Sequence, residues 1–376
     1  MAIKYFKFSP ELIESFVRFS YDLYRGDANC IPPLRKELYA QLSPEFPYYQ
    51  KSGNHHRHYL ATSGRKIVGR ISAMVNSDLR DGEGTPVGTV GFFECIQDYA
   101  VAQELLDSAI QWLQSEHNIT RIWGPMNFDI WHGYRFMTHG FDQKLFYGEP
   151  YNKPYYRDFF ERYGFTAKQI WDSVEINGRS HLEKINEKGA ERYKELVESG
   201  YRFEQFDLQK FKEDLQKLHS ILTQTFKEFI GFTPISFIEF EKIFTKTRYA
   251  FHPQLFSFVY NQGNALAGFA GAFLELSDAI RGINGKDNLF AKLKFLSYRR
   301  GVERILFYII GVSPEEAVKS VGLGRAMFCY IINQILKCGY ETVIFALMAR
   351  GNKVQGLLGE YMSKAQRSYT LYELRQ

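Results

Sequence analysis

The chain has 376 residues, of which 45 % are hydrophobic and 16 % aromatic, so it can fill the cores of two ordinary domains and is not a disordered protein. Its net charge of +5 suits a small anionic ligand and is too weak to indicate a nucleic-acid partner. Four scattered cysteines without a C-x-x-C pair favour a reducing, cytoplasmic setting, and we expect neither a signal peptide nor a membrane-spanning segment.

The elements predicted from the first part of the chain alternate between strands and helices. Ser63-Gly64 marks a turn between two strands. A helix at 101–116 is indicated by apolar residues three and four positions apart, such as Leu106, Ile110 and Leu113. In order, we predict a strand at 2–8, a helix at 10–24, strands at 57–62, 66–76 and 90–95, the helix at 101–116, a strand from 121, and a short helix closed by Gly164.

Three histidines, His55, His56 and His58, cluster before one of these strands. A closed zinc site needs four ligands, and no cysteine is near them in the sequence. We therefore interpret the cluster as a polar strand entrance rather than a metal site, and we expect no metal.

The second part of the chain repeats this plan. The spacing Tyr59-x4-Gly64-x4-Gly69 aligns without a gap with Phe258-x4-Gly263-x4-Gly268, and both copies continue as strand, helix, strand. This self-similarity predicts a tandem duplication of one α/β unit. The copies are predicted at 1–178 and 201–376, and the charged segment 179–200 is predicted to be a linker helix.

The second copy contains a glycine-rich turn that the first copy lacks. An apolar strand at 304–310, buried on both faces, is followed by a polar turn, a glycine loop and a helix that ends near Gly339. A second buried strand follows at 341–348. The loop reads Lys319-Ser320-Val321-Gly322-Leu323-Gly324-Arg325, whereas the first copy has Gln97-Asp98-Tyr99-Ala100-Val101-Ala102-Gln103.

Glycines at this position have a physical use. A helix start leaves backbone N–H groups without partners and carries partial positive charge, and glycine lets that backbone curl close to a ligand. A glycine-containing helix start is therefore suited to bind a phosphate or a diphosphate. The alternative is a tight strand-to-helix turn without a ligand.

The loop resembles motif A of the GNAT acetyltransferases, R/Q-x-x-G-x-G/A. Lys319 stands at the Arg/Gln position, and Gly322 and Gly324 stand at the glycines. The second copy resembles a GNAT domain and the first a degenerate one. The resemblance implies an α/β fold of two tandem GNAT-like domains, each a mixed, mostly antiparallel, twisted sheet flanked by helices. Four further segments resemble two-domain GNAT-like proteins of unassigned substrate: 91–94, 124–128, 140–142 and 150–156.

The resemblance implies an N-acyltransferase that uses acetyl-CoA or another acyl-CoA. The loop amides would hold the diphosphate, and a backbone N–H near Val312 would polarise the thioester carbonyl. The acceptor would be a small-molecule or peptide amine, in a pocket that the first copy helps to wall. The implied cofactor-binding residues are Gly311, Val312, Lys319, Ser320, Val321, Gly322, Leu323, Gly324, Arg325 and Asn352.

The catalytic residues are not assigned. Many GNAT members carry a general acid in the pattern N-x6-Y, but Gly359 stands where that pattern, counted from Asn352, needs tyrosine. Tyr361 is two residues further on, and Tyr308 is interpreted as a core residue rather than one that faces the thioester. Two alternatives therefore stay open: a non-catalytic acyl-CoA-binding protein, and an aminoacyl or peptidyl transferase of the tandem GNAT type.

An insertion at 276–303 is peculiar to the second copy. It interleaves basic residues with apolar ones. One interpretation is a basic amphipathic flap that touches a membrane or the outer phosphate of the ligand. The other, which we prefer from the sequence, is a solvated helix face that covers a sheet edge. The basic residues are Lys286, Lys292, Lys294, Arg299 and Arg300.

Overall fold

The computed structural model of the protein describes residues 1–31, 33–283, 289–319 and 321–376. Ser320 of the predicted loop and Lys286 of the basic insertion lie outside these ranges. None of the described helices is both long and apolar enough to cross a membrane.

Thirteen strands and thirteen α-helices make up the described chain. The strands are β1 (Ala2–Phe6), β2 (His55–Ser63), β3 (Lys66–Arg80), β4 (Pro86–Cys95), β5 (Arg121–Gly124), β6 (Phe136–His139), β7 (Thr166–Asn177), β8 (Arg202–Gln205), β9 (Phe251–Tyr260), β10 (Leu266–Leu274), β11 (Arg304–Val312), β12 (Thr342–Ala349) and β13 (Arg367–Arg375). The helices are α1 (Pro10–Leu23), α2 (Arg35–Gln41), α3 (Pro47–Gln50), α4 (Tyr99–His117), α5 (Tyr156–Tyr163), α6 (Arg179–Glu198), α7 (Phe211–Thr225), α8 (Phe237–Lys246), α9 (Ser277–Ile283), α10 (Leu289–Arg300), α11 (Pro314–Lys319), α12 (Leu323–Lys337) and α13 (Lys353–Leu358).

All thirteen strands belong to one sheet, with the order β1-β2-β3-β4-β5-β13-β7-β12-β11-β10-β9-β8 and with β6 beside β13. Most neighbours are antiparallel; β4–β5 and β11–β12 are parallel. The predicted fold class, a mostly antiparallel sheet flanked by helices, is therefore confirmed.

The two halves of the sheet exchange strands at its centre. Strand β7 comes from the first part of the chain but pairs with β12 of the second part, while β13 pairs with β5 of the first part. The two exchanged strands then pair with each other from Arg367 with Ser173 to Glu373 with Thr166. The predicted bounds of the two copies, 1–178 and 201–376, stay a prediction.

Equivalent glycines explain why the two copies share a spacing. A Cβ on Gly69 of β3 would lie 2.7 Å from Leu105 Cδ1 of α4, and a Cβ on Gly268 of β10 would lie 2.8 Å from Met327 Sδ of α12. Each glycine therefore lets the long helix of its half press directly onto the sheet.

The charged segment between the copies forms helix α6, which packs on α12, and its role as a linker stays a prediction. Leu182 and Ile185 are buried in the same core as Ile331 of α12. A Cβ on Gly189 would lie 2.9 Å from Cys329 Cβ. The close approach of these two helices places α6 beside the glycine loop.

Two local expectations differ from the structure. The polar turn after β11 is the short helix α11, which begins at Pro314, a residue suited to a first helical position. Strand β11 is not buried along its whole length on both faces, because Tyr308 is 43 % exposed.

Candidate functional site

Strands β11 and β12 separate halfway along their length. They pair in parallel from Arg304 with Thr342 as far as Phe307 with Phe345. Immediately afterwards β11 contains a bulge: Gly271 of β10 faces Ile309 and Ala272 faces Phe307, so Tyr308 is the extra residue. A bulge bends its strand and redirects a side chain. The later parts of the two strands therefore diverge and leave a gap in the sheet.

A cavity of about 1880 Å³ opens at this gap. From the second part of the chain it is lined by the diverging strands, including Tyr308, Ile309 and Leu347. The opposite wall comes from the first part and includes Tyr134, Arg135, Tyr147 and Trp171. We call this space the central cavity. Its walls are mainly apolar and aromatic, which is typical of sites for small molecules.

The first part of the chain is clamped onto the second beside the central cavity. Trp131 Nε1 donates a hydrogen bond to Thr233 O at 2.8 Å, and the Thr233 hydroxyl donates to Asp129 Oδ2 at 2.9 Å. The backbone N–H of Ile130 donates to Gly231 O at 2.9 Å. These contacts hold the segment between β5 and β6 as a fixed wall.

Tyr308 faces the central cavity at the point where the strands diverge. The interpretation of this residue as a core tyrosine is wrong, because the bulge turns it away from the packed interior. Tyr134 and Tyr147 line the same space, and burial raises the pKa of both phenols. All three phenols are therefore potential proton donors to a ligand in the cavity.

Arg135 presents a guanidinium in the cavity wall. Its carbon Cζ lies 4.0 Å from the ring centre of Tyr134 and 4.4 Å from that of Trp171. Its Nε and Nη1 atoms are buried and have no hydrogen-bond partner within the described residues. Its backbone φ is +67°, a conformation that non-glycine residues rarely adopt. A buried donor without an acceptor is costly, and the faces of the two aromatic rings offset part of this cost for a cation.

The predicted glycine loop lies beyond the far end of β11. Gly322 is the N-cap of α12 with φ +71°, and within the described chain no side-chain hydrogen bond caps this helix. A Cβ on Gly324 would lie 3.7 Å from Val312 Cγ2, so the end of β11 and the start of α12 are in contact. The structure thus brings together Gly311 and Val312 with Val321–Arg325.

Lys319 is held beside the loop by a buried carboxylate. Glu316 Oε1 accepts hydrogen bonds from Lys319 Nζ at 2.7 Å and from Asn261 Nδ2 at 2.8 Å, and Tyr201 donates to Oε2 at 2.7 Å. Burial by itself would raise the pKa of Glu316, but these hydrogen bonds outweigh it and lower the pKa. Glu316 therefore stays ionised and positions the lysine.

Arg192 of α6 is a neighbour of the loop that the sequence did not indicate. Its Nε donates a hydrogen bond to Val321 O, and a Cβ on Gly322 would lie 3.1 Å from Nε. The same guanidinium pairs with Glu195 at 2.6 Å. In the sequence Arg192 is one of many charges in a solvated-looking helix, so only the packing of α6 on α12 reveals its position.

The corresponding helix start in the first copy is already occupied. Asp98 is the N-cap of α4, and its Oδ1 accepts a hydrogen bond from the backbone N–H of Ala100 at 3.0 Å. The chain's own carboxylate thus takes the place of an external anion.

The gap between the corresponding strands, β4 and β5, is also closed. The backbone N–H of Met126 donates to Val90 O at 2.9 Å, and Asn127 Oδ1 accepts from Phe92 N at 2.7 Å. A Cβ on Gly91 would clash with Met126 O. The chain after β5 therefore fills the space that lies open after β12.

Asn352 lines the central cavity and caps α13, because its Oδ1 accepts from Val354 N at 3.1 Å. Helix α13 ends at Leu358, and the Tyr361 hydroxyl hydrogen-bonds with His181 Nδ1 at 2.9 Å. Tyr361 is thus engaged by α6. Within the described residues no group of three or more His, Cys, Asp or Glu side chains could hold a metal.

Two curated proteins are similar to the chain over most of its length, whereas no family model matches it. "Protein YghO" from Escherichia coli (strain K12) is 26 % identical over 320 residues, which are 82 % of this chain and 78 % of that protein. "Bacterial ceramide synthase" from Caulobacter vibrioides (strain NA1000 / CB15N) is 24 % identical over 374 residues, which are 97 % of this chain and 95 % of that protein.

Solved structures share the fold. A tandem GNAT protein from the clavulanic acid biosynthesis pathway matches 100 % of this chain and 98 % of its own, with a TM-score of 0.51 at 12 % identity. A GCN5-related glucosamine N-acetyltransferase region of a fungal GH3 beta-N-acetylglucosaminidase matches 99 % of this chain and 38 % of its own, with a TM-score of 0.54 at 13 % identity. The predicted resemblance is confirmed: the chain has the fold of the GNAT superfamily in its tandem form.

Proposed function

We propose that the protein is an N-acyltransferase that moves an acyl group from an acyl-CoA to an amine. The observation that carries this proposal is the asymmetry between the two halves. The second half combines an uncapped glycine N-cap with an open gap between its parallel strands, while the first half closes both features with its own residues.

The donor site is built around the start of α12. The N–H groups at Gly322–Arg325 face the diphosphate of the CoA, and the N-terminal partial charge of α12 favours its binding. Lys319 and Arg192 add positive charge beside it. The pantetheine arm follows the gap between β11 and β12, and an N–H near Val312 polarises the thioester carbonyl.

The reaction is a direct transfer. The free amine attacks the thioester carbonyl carbon, a C–N bond forms, and the C–S bond breaks. The departing thiolate of CoA takes up a proton from a protein phenol, and the proton that the nitrogen gives up restores that phenol, so the step needs no further reactant. We assign the phenol of Tyr308 as the proton donor to the thiolate, because it stands at the divergence of the two strands.

The acceptor is an amine carried on a long hydrocarbon chain. The central cavity, at about 1880 Å³, exceeds the range of about 300–1,000 Å³ usual for small-molecule sites. The aromatic walls favour apolar chains, and Arg135, which lines the cavity, supplies a donor to an oxygen near the amine. The similarity to a bacterial ceramide synthase supports this class, since a ceramide is the amide of a fatty acid with a long-chain amino alcohol.

The experiment that tests this proposal measures release of free CoA thiol from the purified protein. Donors are acetyl-CoA and a long-chain acyl-CoA; acceptors are a small amine, a peptide and a long-chain amino alcohol. We expect release that depends on the long-chain amine, together with an amide product of matching mass. If the protein binds CoA but forms no product with any donor–acceptor pair, the proposed transferase activity is contradicted.

A second candidate, a non-catalytic acyl-CoA-binding protein, is favoured by one observation. The family's tyrosine position holds Gly359, and the nearby Tyr361 is hydrogen-bonded to His181. This candidate predicts calorimetric binding of acyl-CoA with no turnover in the same panel.

A further inference from the structure

Helix α10 turns an apolar face toward solvent. Leu289, Phe290, Leu293 and Leu296 are 70 %, 80 %, 57 % and 46 % exposed. Their spacing of three, four and seven residues places them on one side of the helix. Clusters of large exposed apolar residues are rare on proteins that contact only water.

The orientation of this face is set by contacts on the opposite side of α10. Phe295 packs against the core of the second half, and its ring lies 5.8 Å from that of Tyr249. Arg299 Nε donates a hydrogen bond to Tyr249 O at 2.8 Å. A Cβ on Gly282 of α9 would lie 2.6 Å from Tyr298, so α9 and α10 pack closely. The helix is thus attached to the body with its apolar face outward.

Basic residues accompany the apolar face. Lys294 and Arg300 are exposed on α10, and Arg299 is beside them. An apolar helix face with Lys and Arg nearby is the arrangement that binds the interface of an anionic bilayer. A protein partner fits less well at Lys294, because lysine is depleted from protein interfaces.

The fold itself does not require this insertion. In the first half the equivalent strands β3 and β4 are joined by a short turn in which Asp81 N donates to Thr85 O. In the second half α9 and α10 stand in the same connection. They also adjoin the central cavity, since Phe295 and Leu296 line it. The exposed face and the cavity are therefore continuous through Leu296.

We propose that the α9–α10 insertion docks the protein onto the surface of an anionic phospholipid bilayer. Phe290 and Leu293 enter the headgroup region, and Lys294 and Arg300 meet the lipid phosphates. The central cavity then opens beside the bilayer, where a long-chain substrate would be dissolved. The docking surface consists of α10 residues and does not depend on the acyl-transfer chemistry.

Co-sedimentation of the full chain with vesicles tests the proposal. One set of vesicles is phosphatidylcholine alone and the other also contains phosphatidylglycerol. We expect binding to the anionic vesicles that weakens as salt is added. Phe290→Glu combined with Leu293→Glu should lower binding at least about tenfold. Lys294→Glu combined with Arg300→Glu should weaken binding to anionic vesicles about fivefold for each residue replaced. Binding to phosphatidylcholine vesicles should not change.

The matched control is Val197→Glu combined with Ile238→Glu, which places the same two charges at exposed apolar positions of α6 and α8 and should leave binding unchanged. Thermal unfolding and calorimetric CoA binding show whether each variant is folded. Failure of the wild-type chain to bind anionic vesicles would overturn the proposal. Wild-type binding by the Phe290/Leu293 variant would also overturn it. A third contrary result is a wild-type dimer that becomes monomeric in this variant while neither protein binds vesicles.

Discussion

Replacing Gly322 with aspartate tests the diphosphate site most directly. The first half of the chain already carries a carboxylate at the equivalent helix start, where Asp98 caps α4. Gly322→Asp puts the same charge beside the N–H groups proposed to hold the diphosphate. With about two charges on the diphosphate about 5 Å away, the repulsion is about 2 kcal/mol in water and about 7 kcal/mol at an effective dielectric constant of about 20.

The smaller value is the better guide here. A Cβ at position 322 lies only 3.1 Å from Arg192 Nε, so that guanidinium would partly neutralise the new carboxylate. A loss of about 2 kcal/mol corresponds to a loss of more than about tenfold in affinity. Calorimetric titration with CoA measures it.

Gly322→Asn is the matched control. Its side chain has nearly the same size and meets the same positive φ, at a cost of about 1 kcal/mol to the fold, but it carries no charge. The difference between the two variants therefore isolates the electrostatic part. Equal weakening of CoA binding in both would show that shape, not charge, governs the site. Unchanged binding in both would place the diphosphate elsewhere.

Three further changes have defined outcomes. Tyr308→Phe should slow thiol release roughly a hundredfold without lowering CoA affinity; a wild-type rate would remove Tyr308 from the mechanism. Gly69→Ala should lower the free energy of unfolding by about 1–3 kcal/mol, seen as a lower urea midpoint, because its Cβ meets Leu105; Gly82→Ala is the control, because at this turn glycine no atom lies within 4 Å of a Cβ and φ is not positive. Burial would raise the pKa of Glu373, but hydrogen bonds from Trp123 and its basic neighbours lower it to about 2. The wild type should therefore lose up to about 3 kcal/mol as pH falls from about 4.5 to about 2, whereas Glu373→Gln should be less stable at neutral pH and show a flatter profile; identical profiles would contradict this.

Local patterns in the sequence were sufficient for much of the fold. The hairpins follow from turn glycines between apolar segments, and helix α12 follows from its apolar spacing after Gly322 and Gly324. The first copy's lack of a glycine loop could also be predicted, because its corresponding segment 97–103 contains no glycine. These features depend on neighbours within a few residues along the chain.

The features that the sequence did not predict depend on distant contacts. Nothing local indicates that β13 lies between β5 and β7, because a strand of alternating polar and apolar residues fits many partners equally well. The continuous apolar run of β11 hides the bulge at Tyr308. Arg192 has the same local pattern as its solvated neighbours, and the central cavity exists only because two distant parts of the chain face each other.

The strand exchange has a consequence for how the protein is made. While the first part of the chain leaves the ribosome, one side of β5 has no partner, and β7 has neither of the strands it will finally lie between. The half-sheet that contains β1 to β5 is incomplete until β13 has been synthesised. Bare strand edges invite pairing with other chains. Cutting the chain between β7 and α6 would therefore yield two aggregation-prone fragments rather than two independently folded domains. Co-expression of both fragments should restore the folded protein that neither forms alone.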